Sequence, residues 1–181
     1  MARILFSSLL VFYALAGFGQ STAIPAAIQT PADSSKLIMH AYAKGVQIYV
    51  CTPNPKDSSQ YVWTFAGPRA NLYADSAYHL IVGKHYLGAN KNPVWEDNDG
   101  SMVTGSKVHQ ANSPDGHAIP WLLLKAVATK GAGILTQVVF VQRINSRGGT
   151  APAVASKTDS GRNLEVAYTA EYLFYGVKRY R

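Results

Sequence analysis

The chain has 181 residues, 17 Lys+Arg against 10 Asp+Glu for a formal charge of +7, and a single cysteine. That length suits one domain with a sizeable core rather than two, and one cysteine excludes an intramolecular disulfide. The basic residues stand singly along the chain (Lys36, Lys44, Lys56, Lys84, Lys91), with one cluster at Lys178-Arg179-Tyr180-Arg181. A nucleic-acid binder gathers such charge on one face or helix, so no nucleic-acid partner is expected.

In chain order, Met1-Ala2-Arg3 supplies a positive start, Ile4 to Phe18 is apolar apart from Ser7 and Ser8, and small residues follow from Gly17 to Ala23. This is the pattern of a secretory signal peptide over residues 1–20, cleaved between Gly19 and Ala23. The apolar run of about 15 residues falls short of the roughly 20 that a spanning helix needs, and no later stretch is longer. No membrane insertion is expected, and the mature protein should be secreted or periplasmic. Loss of Arg3 with the leader would take the surplus from +7 to +6. Residues 21–35, with the Pro/Ala-rich stretch Ile24 to Ala32, read as a flexible N-terminal tail, and 36–177 as the domain.

The domain has the periodicity of strands. Leu37–Tyr42 and Val46–Cys51 are β-prone runs separated by Lys44-Gly45, and Tyr61–Phe65 is another, ended by Gly67-Pro68. Ser101–His109 alternates. Trp121–Ala128 and Leu135–Ile144 are longer and little interrupted by polar residues, which suits strands covered on both faces. A short helix over Leu122–Lys130 is disfavoured by Val127, Thr129 and the flanking Pro120 and Gly131. Leu164–Tyr168 and Glu171–Tyr175 end the series. Strands at short spacing with Gly, Pro and Asn turns predict an all-β, mostly antiparallel single domain, a β-sandwich or a flattened barrel. Cys51 ends an apolar strand and reads as a buried, inert thiol. Trp63 and Trp121 lie in apolar runs and read as core.

Six short motifs occur in order: Gly45-Val46-Gln47-Ile48-Tyr49-Val50-Cys51, Gly67-Pro68-x-Ala70-x-Leu72, Gly83-x-His85-Tyr86-x-Gly88, Trp95-Glu96-x-x-Asp99-Gly100-Ser101, Ile119-Pro120-Trp121-Leu122-Leu123, and Arg143 followed by Gly148-Gly149-x-Ala151-Pro152. Together they resemble the exported bacterial and fungal proteins grouped as domain of unknown function 3455, over roughly residues 36–176. The resemblance implies a secreted all-β domain with no assigned activity. Some fungal relatives carry a malate dehydrogenase label, but this chain has no strand–GxGxxG–helix unit to support it. The resemblance also implies a second cysteine after the Gly-Gly-x-Ala-Pro motif, where this chain has Ala155-Ser156-Lys157. If the family pairs its two cysteines, Cys51 is the orphan of a lost bridge.

The segment Gly83–Gly105 concentrates the chemically able side chains. Asp97-Asn98-Asp99-Gly100-Ser101 offers oxygen ligands but lacks the bidentate acid of a calcium loop, and Asn-Asp-Gly before a strand is a favoured hairpin turn. No metal or other cofactor is expected. His85 between glycines is either a loop histidine bonded to backbone or a general base oriented by Glu96 or Asp99. Trp95 in a polar loop is either a plug at the end of the core or an exposed ring for an amphipathic ligand. There is no Gly-x-Ser-x-Gly elbow around Ser101. The favoured reading is a non-catalytic extracellular or envelope-associated binding protein for a small molecule or carbohydrate, with a site at His85, Trp95, Asp99 and Ser101. The alternative is a secreted enzyme using His85 with Glu96 or Asp99. In either case the reversals at Gly83, Gly88, Pro93 and Asp99-Gly100 are expected to bring His85, Trp95 and Asp99 to one end of the core.

Overall fold

The computed structural model describes residues 23–178; the expected signal peptide lies outside them. Eight strands follow one another: β1 (Ser35–Asn54), β2 (Asp57–Tyr73), β3 (Ile81–Leu87), β4 (Pro93–Asp97), β5 (Met102–Ala111), β6 (Trp121–Lys130), β7 (Val138–Gly148) and β8 (Asn163–Val177). Each pairs with its successor, and β8 returns to β1, so the sheet closes into an up-and-down antiparallel barrel. Closure pairs every strand on both sides along at least part of its length. Of the two all-β forms expected, the barrel is the one observed.

Two pairs of expected strands are single long ones. Gly45 does not turn the chain: it lies inside β1, paired with Ala70 on one side and Tyr168 on the other. A Cβ there would strike the Arg69 carbonyl and Ala70, so the glycine permits close strand approach. In β8, Thr169-Ala170 continues the ladder between the two tyrosine-rich runs.

The barrel is filled from its inward faces. Ala41 and Ala43 of β1, Leu72 of β2, Val103 of β5, Val141 of β7 and Phe174 of β8 form one buried cluster with Trp95. The small alanines of β1 stand among large aromatic and branched residues, as a tapered interior requires. A second cluster lies on the outside: Trp121, Leu123, Ile144 and Leu173 pack around Ile28. This explains why Trp121–Leu124 is apolar at every position. Leu122 and Leu124 pack toward the interior cluster, while Trp121 and Leu123 belong to the outer one.

The cover is the stretch that reads from sequence as a flexible tail. Ala26–Ile28 forms a 3₁₀ turn, Ile28 is fully buried, and the Gln142 side-chain amide donates to the Ile28 carbonyl at 2.5 Å. Tyr175 in turn donates to Gln142 at 2.8 Å. Ile28→Ala is therefore expected to cost about 2–5 kcal/mol, measured by urea unfolding; a loss near zero would mean the segment does not hold the outer face in solution. Trp63 departs from its expected place in the core. It is only half-buried, and its indole N–H donates to the Val154 carbonyl at 3.1 Å.

Candidate functional site: a cavity inside the barrel

The core does not fill the barrel to both ends. Toward the end where β3 finishes and β4 begins, a cavity of about 300 Å³ remains, lined among others by Gln47, His85, Trp95, Leu122, Arg143 and Tyr172. The register explains the wall. His85 pairs with Trp95 across β3 and β4, so both point inward, and their rings stack at 4.7 Å with planes 10° apart. Tyr172 of β8 closes the group, 5.0 Å from His85 and 5.4 Å from Trp95. Gly105 of β5 makes room for the indole, since a Cβ there would lie 2.9 Å from Trp95 Cζ3.

His85 is 3% exposed, and its Nδ1 lies 2.8 Å from the Val94 carbonyl. A carbonyl only accepts, so Nδ1 carries the proton and Nε2 keeps a lone pair. Burial drives the His85 pKa down to about 3, opposed by the Val94 bond and reinforced by the Arg143 charge. The imidazole is neutral at physiological pH. Burial raises the pKa of Tyr49, Tyr168 and Tyr172, and Arg143 pulls each of them back. One guanidinium therefore acts on His85 and on all three tyrosines. Arg143 is held by its Nε and Nη2, which donate to the Pro120 carbonyl at 3.1 and 2.9 Å.

Three buried polar atoms on this wall have no hydrogen-bond partner: Gln47 Nε2, Trp95 Nε1 and Tyr172 OH. Tyr168 OH is in the same state; Tyr168 and Arg143 both stand close enough to Tyr172 OH to act on its ionisation, but neither makes a bond of ordinary geometry with it. Each such orphan costs about 1–3 kcal/mol. Several among the residues around one cavity are unusual in a finished core.

The carboxylates expected to serve His85 are elsewhere. Glu96 follows inward-facing Trp95 and so faces out, where it accepts from Tyr86 OH at 2.8 Å and pairs with Lys84 at 3.0 Å. The Tyr86 bond, then Lys84, keeps its pKa low. Asp99 lies in the β4–β5 turn, at the barrel end where β3 begins, away from the cavity. Its carboxylate accepts from Ser101 N–H at 2.7 Å and Ile134 N–H at 2.9 Å. Ser101, fully buried, accepts from Leu135 N–H at 3.1 Å. Asp99 and Ser101 thus tie that turn to the 3₁₀ turn Ile134–Gln137. The structure brings His85 and Trp95 together and places Asp99 and Ser101 at the other end. The His85–Glu96 and His85–Asp99 pairings needed for acid–base chemistry are not assembled.

Gln47, Arg143 and Tyr172 were not singled out from sequence as site residues. A signal was present for Gln47 and Arg143 but not for Tyr172: each of the six motifs sends a residue to this wall, namely Gln47, Pro68, His85, Trp95, Leu122 and Arg143. The Gly148-Gly149 pair has its own part. Gly149 has φ +82°, and a Cβ on it would meet Tyr168 Cβ at 2.9 Å and Gln47 Cγ at 3.1 Å. Its carbonyl accepts from Tyr49 OH at 2.6 Å.

Cys51 is 1% exposed, and its Sγ lies 3.7 Å from the Ser156 carbonyl, beside the segment where relatives are expected to carry a second cysteine. Burial pushes the thiol pKa up, which lowers the thiolate fraction that reacts. Native protein should leave Cys51 unlabelled by a maleimide and label it after unfolding. Fast native labelling would overturn the buried assignment.

No curated protein and no solved structure matches the chain. The model of a family described as "Protein of unknown function (DUF3455)" matches residues 31–176, nearly the whole described barrel, and the chain belongs to that family.

Proposed function

We propose that this is an exported, non-catalytic binding protein whose barrel holds one small amphipathic molecule in the cavity between Trp95, Tyr172 and Arg143. The observation that carries the reading is the set of unpartnered polar atoms, Gln47 Nε2, Trp95 Nε1 and Tyr172 OH, on residues that line a cavity together with apolar side chains. Such groups give a ligand orientation, while Phe65, Leu87 and Leu124 give it apolar contact. The wall offers a neutral histidine with no carboxylate beside it, which suits holding a molecule rather than moving its protons.

The test uses binding read by tryptophan fluorescence and thermal shift. Leu122→Trp is expected to fill the cavity and abolish binding while the barrel still folds. Tyr172→Phe should weaken binding by about tenfold, the worth of one hydrogen bond. A ligand bound equally by wild type and Leu122→Trp would overturn the site.

Export rests on the leader pattern of residues 1–20, and the first residues with packed side chains, Ile24 and Ile28, follow that leader. Cleavage before Ile24 leaves that cover intact. N-terminal sequencing of exported protein should begin between Ser21 and Ile24; a product retaining Met1 would overturn this.

A further inference from the structure

We infer that the molecule held in the barrel is a small organic anion, a carboxylate carried on an aromatic or alicyclic body. The inference rests on the cavity being a binding site, and three independent features narrow the occupant.

The first is charge. Lys91, Lys107 and Arg143 line the cavity and no Asp or Glu does. Arg143 uses two of its five N–H groups on the Pro120 carbonyl, and among the described residues no carboxylate pairs with it. The one hydrogen-bond partner of Lys107 is the neutral Gln110 amide oxygen, at 3.1 Å. Three cations without a counter-charge at the mouth of a low-dielectric cavity favour an anion inside it. Arg143 lines the same cavity as Gln47, Trp95 and Tyr172, the residues that carry the unpartnered groups.

The second is the sense of the missing hydrogen bonds. Trp95 Nε1 and the remaining N–H groups of Arg143 can only donate, and the orphan atom of Gln47 is its amide nitrogen. The occupant must therefore bring more acceptors than donors. A sugar brings a hydrogen with each hydroxyl oxygen. A carboxylate brings two oxygens and no hydrogen, and two N–H groups of an arginine fork meet it well. The third is size and surface. About 300 Å³ is the lower end of ligand pockets, and its walls are largely rings and branched aliphatic side chains, which fit a compact apolar body.

The experiment titrates the full mature chain with benzoate, cyclohexanecarboxylate, benzamide, indole and glucose, read by calorimetry and tryptophan quenching. Benzoate or cyclohexanecarboxylate is expected to bind, and benzamide about ten- to a hundredfold more weakly than benzoate, the worth of a charged hydrogen bond. Arg143→Gln should erase the preference for benzoate over benzamide. Because Arg143 also holds Pro120, a second variant, Lys91→Gln with Lys107→Gln, changes only exposed side chains. It should weaken benzoate about two- to fivefold and flatten its salt dependence. Benzoate affinity should be level between about pH 5 and 8, because neutral His85 is not the anion's partner. Benzamide or glucose binding as tightly as benzoate overturns the anion inference and leaves the cavity as a site. Indole binding with neither carboxylate has the same meaning. If no member of the panel binds, both readings fall.

Discussion

Replacing Trp95 with alanine is expected to cost about 3–5 kcal/mol of stability and to remove ligand binding with it. The indole is 1% exposed. It stacks on His85 and meets Tyr172 and Phe174 edge-on at 5.4 and 6.1 Å. Its removal would open a void among aromatic rings that cannot easily collapse, because they are held on two strands of the closed barrel, β3 and β8. Loss of binding in that variant would not distinguish a ligand contact from a collapsed site. Trp95→Phe does distinguish them. It keeps a ring beside His85, and it removes Nε1–H, which is unpartnered in the free protein. Deleting an orphan donor relieves a penalty of about 1–3 kcal/mol, which offsets much of the lost ring area. Trp95→Phe should therefore stay within about 1 kcal/mol of wild type in urea unfolding while binding falls about tenfold. If Trp95→Phe binds as well as wild type, the indole is packing and nothing more.

The barrel was legible in the sequence as strands but not as a closed ring. Alternating and continuous apolar runs marked six of the eight strands, because side-chain burial imposes them locally; β3 and β4 lie largely in the glycine-rich segment that reads as a loop or hairpin. Closure depends on β8 meeting β1, a pairing of residues as distant as Ser35 and Val177, and no local pattern encodes it. Gly45 read as a break because glycine usually punctuates; in a tight barrel the same residue marks where two backbones nearly touch. The continuous apolar run Trp121–Leu124 announced two covered faces, and the second cover proved to be Ile28, outside the segment assigned to the domain.

The site was half legible for a related reason. His85 and Trp95 stood out as chemically able residues in a glycine-rich segment, and the pairing of β3 with β4 brings them together. Asp99 and Ser101 stood out equally, yet their polarity serves the turn: Asp99 accepts backbone N–H bonds from Ser101 and Ile134. Sequence spacing cannot tell a carboxylate that caps a turn from one that faces a cavity. Gln47 and Arg143 were hidden for the opposite reason. Each is a polar residue in an apolar strand, and only the inward register, with Arg143 bonded to Pro120, shows that it faces a cavity rather than solvent.

The barrel is expected to lose about 2 kcal/mol of stability between pH 7 and pH 5, and His85→Gln to remove most of that loss. His85 has a folded pKa near 3 against an ordinary 6.5, chiefly because it is buried. Above pH 6.5 the imidazole is neutral folded or unfolded, and it contributes no pH dependence. As pH falls below 6.5 the unfolded chain takes up a proton that the native barrel refuses. The unfolded state then binds more protons, so stability falls as pH falls, by about 1.4 kcal/mol per unit down to the folded pKa. The carboxylates lowered by hydrogen bonds, among them Glu96 and Asp99, change sides only lower down, near and below the ordinary carboxylate range. The difference between the two proteins from pH 6.5 to pH 5 therefore reports His85, because the other histidines are common to both. Glutamine can still donate to the Val94 carbonyl but does not titrate, so the comparison is of slopes, whatever the absolute cost of the substitution. Urea unfolding of both proteins at pH 7 and pH 5 measures it. A parallel loss in His85→Gln would mean that His85 is not held neutral in the barrel, and with it would go the picture of a cavity with a neutral histidine in its wall.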